Sequence, residues 1–134
     1  MSADTPAPVS PRAGSVVVAG TVTTSGDDGY VLNHAAISGD RLSVSVSYAG
    51  GCEVHALTLV IAASFTESSP VRLPAVLRHD ANGDACEAWL THSYAFDLAI
   101  VRTRYRAAYG PGPGRVALQL DGVAADRLVY EFTG

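Results

Sequence analysis

From residue 15 onward, apolar and polar positions alternate mostly with a period of two. The clearest stretch is Leu42-Ser43-Val44-Ser45-Val46-Ser47-Tyr48, in which four apolar residues are separated by three serines. Such alternation predicts a half-buried strand with one wet face. Residues 15–24 are rich in Val and Thr and read as another strand, ended by Ser25-Gly26-Asp27-Asp28-Gly29. Further strands are expected at 30–37, 55–64, 71–79 and 85–96. Pro70 and Pro74 place the 71–79 strand at a sheet edge, because proline cannot donate to a ladder. Residues 115–120 and 127–132 flank the turn pair Asp121-Gly122 and read as a closing hairpin.

The period changes once. Leu98, Val101, Tyr105 and Ala108 fall at helical spacing, which predicts one short helix near 98–108. The competing reading is a strand carrying Arg102, Arg104 and Arg106 on one face, where they could meet an anion or simply face solvent. Gly110-Pro111-Gly112-Pro113-Gly114 then forms a loop. Many short strands with Gly, Pro and Asp punctuation and one helix at most predict an all-β, immunoglobulin-like β-sandwich of about 7–8 strands. Its single domain is expected to span 14–134, behind a Pro-rich, disordered segment at 1–13 containing Pro6, Pro8 and Pro11.

Composition narrows the function classes. The 134 residues are 48% hydrophobic and 16% charged, a composition that buries a core. Arginine supplies every one of the nine basic residues, and against thirteen acidic ones the net charge is −4. That balance argues against a nucleic-acid domain and against a polybasic membrane binder. No apolar run has the length of a membrane helix. The first residues carry no basic and apolar leader pattern. The expectation is therefore a cytoplasmic protein if Met1 is native, and an envelope or secreted one if a leader has been removed. A protein or small ligand is the expected partner.

Chemistry concentrates in Gly50-Gly51-Cys52-Glu53-Val54-His55 and in His79-Asp80-Ala81-Asn82-Gly83-Asp84-Ala85-Cys86. Strand parity sets His55 on the face of Leu57, Leu59 and Ile61, His79 on that of Leu73, Ala75 and Leu77, and Cys86 on that of Ala88 and Leu90. All three point inward at strand ends. Three explanations stay open. Cys52 and Cys86 could form a disulfide. Cys52, His55, His79 and Cys86 could hold one zinc or copper ion, since two thiolates and two imidazoles suit such metals. Or the histidines are satisfied core residues and the cysteines small buried hydrophobes. Asp80, Asn82 and Asp84 also imitate the opening of a calcium loop. Ala85 stands where its glycine belongs, however, and Thr91 where its bidentate glutamate belongs.

These two stretches resemble a paired GGCxxH and HDxxxDxCEA pattern found in a group of uncharacterised bacterial proteins, many of them lipoproteins. The likeness covers roughly 42–132. It implies an envelope or secreted setting, and makes Cys52, His55, His79, Asp80, Asp84 and Cys86 one unit. It implies no particular activity.

No nucleophile elbow, P-loop or dinucleotide fingerprint is present. A thiol enzyme would need a Cys52–His55 or Cys86–His79 dyad, oriented by Asp80 or Asp84. Trp89 has the opposite parity to Cys86, and reads as an outer-face anchor or as a ring covered by a loop. The expectation is a non-enzymatic binding or structural module, possessing either no cofactor or a single zinc or copper ion. A metal-binding protein is the alternative, and a thiol-dependent enzyme the third reading.

Overall fold

The computed structural model describes residues 12–20, 29–68, 70–120, 123 and 127–133. Among these residues, nine strands and one helix follow one another: β1 (Arg12–Ala13), β2 (Ser15–Ala19), β3 (Val31–Ser38), β4 (Arg41–Gly50), β5 (Ala56–Ala62), β6 (Val71–Asp80), β7 (Ala88–Asp97), α1 (Ala99–Tyr109), β8 (Gly114–Leu120) and β9 (Val129–Phe132). They build a β-sandwich. One sheet has the order β1-β7-β4-β3, the other β2-β5-β6-β8-β9. The expected strands are all present, with ends moved by a few residues. The second half of the strand expected at 15–24, the Asp27-Asp28 turn and the Asp121-Gly122 turn lie outside the described residues.

The alternation read from the sequence is the alternation of burial. Leu42, Val44, Val46 and Tyr48 of β4 face Leu57, Leu59 and Ile61 of β5 and Leu73, Ala75 and Leu77 of β6 in one core. Of the serines between them, Ser43 and Ser45 are half-buried on the outer face of the first sheet, and Ser47 is buried there. Each fully buried side chain of this size contributes about 1.5–3 kcal/mol, so the core supplies most of the driving force for folding.

Two expectations change. Residues 1–11 of the Pro-rich segment lie outside the described residues, but Arg12 and Ala13 pair in parallel with Tyr94 and Ala95 of β7. The sandwich thus begins two residues earlier than expected. Gly14 permits this, because any Cβ there would collide with the Phe96 ring. Second, β6 is an interior strand, flanked by β5 and β8. Its prolines misled because only part of the strand is laddered on both sides. The β5 ladder ends at Ala75. Arg72 N–H bonds back to the Thr66 carbonyl on that same flank. The position two residues on, Pro74, points its missing donor into the gap between.

Helix α1 carries the chain from one sheet to the other. Its N–H at Ala99 is met by the Asp97 carboxylate at 2.9 Å, and Leu98 and Val101 anchor it in the core. Gly110, with φ of 96°, ends it. The three arginines point different ways from a helix and are all held internally. Arg102 grips both oxygens of Asp40 at 2.8 and 2.7 Å. Arg104 donates to the Ala63 carbonyl and Arg106 to the Thr133 carbonyl. Neither reading of them as an anion site or a solvated strand face describes this arrangement.

Candidate functional site

Register brings the two chemical stretches together. β4 and β7 end their ladder at Gly50 against Ala88, and β5 and β6 at Ala56 against Asp80. The 51–55 segment therefore crosses from the first sheet to the second at one pole, and the 81–87 segment crosses back beside it. Asn82 and Gly83, with φ of 53° and 71°, turn the second segment sharply. Asp84 N–H closes that turn on the Ala81 carbonyl.

Cys52 and Cys86 meet across this pole in a disulfide, with their Cα atoms 5.9 Å apart. Of the open explanations, the disulfide accounts for both cysteines. Cys52 is exposed and Cys86 half-buried, on loops rather than in the core.

The hub of the pole is Asp84. Its Oδ2 accepts the backbone N–H groups of Gly51, Cys52 and Glu53 at 3.0, 3.2 and 3.1 Å. Three successive amides thus form a small nest around a carboxylate from the chain itself. Its Oδ1 accepts from Cys86 N–H at 3.0 Å. His55 Nε2 donates to Oδ2 at 2.7 Å, with both side chains shielded from solvent. The His55 hydrogen bond, followed by the amide bonds to Cys86, Glu53 and Cys52, holds the Asp84 carboxyl far below its usual range against the opposing effect of burial.

The chain of polar contacts continues inward. His55 Nδ1 lies 2.7 Å from His79 Nε2, and His79 Nδ1 lies 3.1 Å from the Gly29 carbonyl. Both rings are almost fully buried, 4% and 3% exposed. The carboxylate and the carbonyl at the two ends can only accept, so His55 Nε2 and His79 Nδ1 each carry a proton. Tyr48 lies over both rings, 4.3 Å from His55 and 4.5 Å from His79. Its hydroxyl is paired at 2.8 Å with that of Tyr94 inside the core. Burial, then that hydrogen bond, pushes the Tyr48 hydroxyl well above its ordinary value. Gly50 completes the geometry: a Cβ there would stand 2.6 Å from His55 Nε2 and 2.7 Å from Asp84 Oδ2.

The sequence had paired the right stretches but not the right atoms. Among the described residues, Cys52, Asp84 and Cys86 bring potential ligand atoms within 4.8 Å of one another, and the four-residue set Cys52, His55, His79 and Cys86 does not. The sulfurs bond to each other and the imidazoles to each other. The calcium reading of Asp80, Asn82 and Asp84 is corrected as well. Asp80 Oδ1 accepts from Asn82 N–H at 2.9 Å, Asn82 donates its side-chain amide to the Val54 carbonyl, and Asp84 is committed to the nest. These contacts close a turn. Cys52–His55 and Cys86–His79 dyads would need a thiolate that the disulfide withdraws. Asp84 as organiser, Gly50 as the gap it needs and Tyr48 as the cover were not singled out as such. The Gly-Gly before Cys52 and the Asp two residues before Cys86 were the signals available.

Trp89 projects from the outer face of the first sheet and is 64% exposed, so no loop among the described residues covers it. No described helix is long and apolar enough to cross a membrane.

No family model matches this chain, and no curated protein matches it in sequence. Solved structures do match in fold. A candidate lipoprotein from Bacteroides fragilis superposes with a TM-score of 0.53 at 14% identity, over 91% of this chain and 70% of its own. A NigD-like immunity protein from Bacteroides caccae reaches 0.59 at 15% identity, over 90% and 59%. A protein of unknown function from Bacteroides vulgatus reaches 0.51 at 13%, over 92% and 57%. The chain thus spans less than two thirds of the length of the last two. At these identities the likeness is one of fold.

Proposed function

We propose that this chain is a non-enzymatic binding module of the bacterial cell envelope, whose polar cluster is a clasp that fastens one end of the sandwich. One observation carries the reading: the reactive groups of the cluster are spent on one another. The thiols are a disulfide, the Asp84 carboxylate has five donors, and the two imidazoles bridge it to the backbone at Gly29. A buried carboxylate satisfied this fully resists water and fixes the relative position of both sheets. A disulfide of this kind belongs to an oxidising compartment. The lipoprotein description of one fold neighbour and the GGCxxH and HDxxxDxCEA resemblance support the same setting.

Titration of thiols in denatured, unreduced protein tests this directly. The expected result is no free thiol per chain; two free thiols would remove the clasp reading. They would favour the second reading, a metal-binding protein in a reducing compartment. For that reading the observation is the proximity of Cys52, Cys86 and Asp84, which once reduced offer two thiolates and a carboxylate to zinc or copper. Elemental analysis of gently purified protein would then find about one metal per chain, lost in Cys86→Ser.

A further inference from the structure

The outer faces of the two sheets differ in kind. Parity places Arg72 and Arg78 of β6, Arg115 of β8 and Glu131 of β9 on the outside of the second sheet, where these charges flank a row of Val17, Val60 and Val76 whose last two members are buried. The first sheet has no such charges across its middle. Register aligns Ser43 with Ala36 and Ala95, Ser45 with His34 and Ser93, and Ser47 with Val31 and Thr91. Ala49 and Trp89 form the row beyond. The first full charges come at Arg41 and Asp97, one row past Ser43 at the opposite end. His34 is the one titratable group in these rows.

We infer that this face is a binding platform for a neutral glycan, with Trp89 as its aromatic anchor. The inference rests on reading the chain as a binding module and names that module's ligand class and site. Three observations carry it. Along β4 and β7 the platform carries only serine, threonine and alanine, which rise little above the strands, with Val31 and His34 at its β3 edge, and Trp89 stands at one end with most of its surface in solvent. An indole face is electron-rich and attracts the weakly positive C–H groups of a sugar ring laid on it. One exposed hydroxyl is already oriented: Thr91 Oγ1 shares a hydrogen bond of 2.7 Å with the Oγ of Ser47, which is itself buried beneath the side-chain amide of Asn33 that donates to it at 2.8 Å. Hydroxyls both donate and accept, as sugar hydroxyls do, and pre-ordered ones lose little freedom on binding.

Charge selects among occupants. An acidic ligand would find no arginine or lysine here and would meet a chain of net charge −4. A protein partner recognised through salt bridges would find nothing to pair with, and the face lacks the leucine or methionine knobs of an apolar interface. A neutral, hydroxyl-rich ligand satisfies both limits. Trp89, Thr91 and Ser93 repeat along β7 at about 7 Å per step, so a linear chain of sugars could follow the strand from the indole across the hydroxyl rows.

Trp89 is the only tryptophan in the chain, so its fluorescence reports on the platform without labelling. The experiment titrates oxidised full-length protein with cellohexaose, maltohexaose and N-acetylchitohexaose, and with an oligogalacturonate as the anionic comparison, to about 10 mM, the weak end of specific binding. Amide NMR spectra are recorded in parallel. The expected result is saturable blue-shifted emission with at least one neutral hexaose, amide shifts confined to Trp89 and the rows beside it (Ser43, Ser45, Ser47, Thr91 and Ser93), and no saturation with oligogalacturonate. Trp89→Ala should weaken that binding at least tenfold by NMR, and Ser45→Arg should abolish it, both with unchanged melting. No saturation by any neutral hexaose overturns the inference. So does equal binding of the anionic probe, or indifference of binding to Trp89→Ala. Emission that shifts with protein concentration alone, with a dimer in solution scattering, overturns it in favour of a second copy on this face. Each failure can occur in a protein with no free thiol, so none is confused with failure of the clasp reading.

Discussion

Removing the Cys52–Cys86 bridge is the sharpest perturbation of the clasp. The two residues are 34 apart in sequence. Loop-closure entropy for a ring of that size gives about 4 kcal/mol, through restriction of the unfolded chain. For 134 residues, an unfolding entropy of about 2.1 cal/mol/K per residue converts that into a fall in Tm of about 14 °C. The bridge also holds the 51–53 amides over Asp84, so part of the native network should loosen with it. Differential scanning calorimetry of Cys52→Ser/Cys86→Ser against the parent reads the fall. Excess dithiothreitol should bring the parent to the variant's Tm and leave the variant unmoved. A variant within about 3 °C of the oxidised parent, under 1 kcal/mol by the same conversion, would refute the reasoning. The cross-link would then either be absent or act on an unfolded state already confined.

Other predictions follow from the same pole and the core beneath it. Gly50→Ala places a methyl group between His55 Nε2 and Asp84 Oδ2 and should cost about 1–3 kcal/mol in urea titrations, whereas Gly20→Ala, with open space around it, should not destabilise. Equal effects of the two would remove Gly50 from the account. Tyr48→Phe and Tyr94→Phe should each cost about 1–3 kcal/mol, because each strands a buried hydroxyl. The double variant should cost less than the two singles combined, and strict additivity would deny their coupling. The Asp84 carboxyl titrates well below its ordinary value of 3.8 in the folded chain. On acidification the unfolded chain therefore takes up that proton first. Its contribution should be complete above about pH 4–5 and erode below that, as pH falls towards the folded value. Asp84→Asn should be less stable at neutral pH and lose less stability between pH 5 and 2, and parallel pH profiles would contradict this.

How much of this could be read from the residues depends on the range of the interaction. Alternation in 42–48 identified both the core side and the wet side of β4, because side-chain direction in a strand is a local property. Helical spacing from Leu98 located α1 for the same reason. Pro74 misled because its cost depends on whether a neighbour's carbonyl waits for the missing donor, and the β5 ladder stops at Ala75. The three arginines near 102–106 looked like one charged face, yet each found a different partner, two of them backbone carbonyls. Carbonyls carry no sequence signature.

The polar cluster divides the same way. Its membership was legible: Cys52, His55, His79, Asp84 and Cys86 stand at strand ends with inward or turn-like placement. Its connectivity was not. A cysteine beside a histidine suits a metal, a dyad or a disulfide equally well, since the choice turns on angstrom-scale distances between loops that leave opposite sheets. By itself the sequence determined the period-two pattern, the wet serine face, the helix and the list of reactive residues, all consequences of short-range backbone geometry. Only the tertiary structure decided that sulfur meets sulfur, that a carboxylate takes three amides from the neighbouring loop, and that two imidazoles meet at 2.7 Å. Those outcomes follow from strand register, which sets what lies within 3 Å of what and is a property of the whole sandwich.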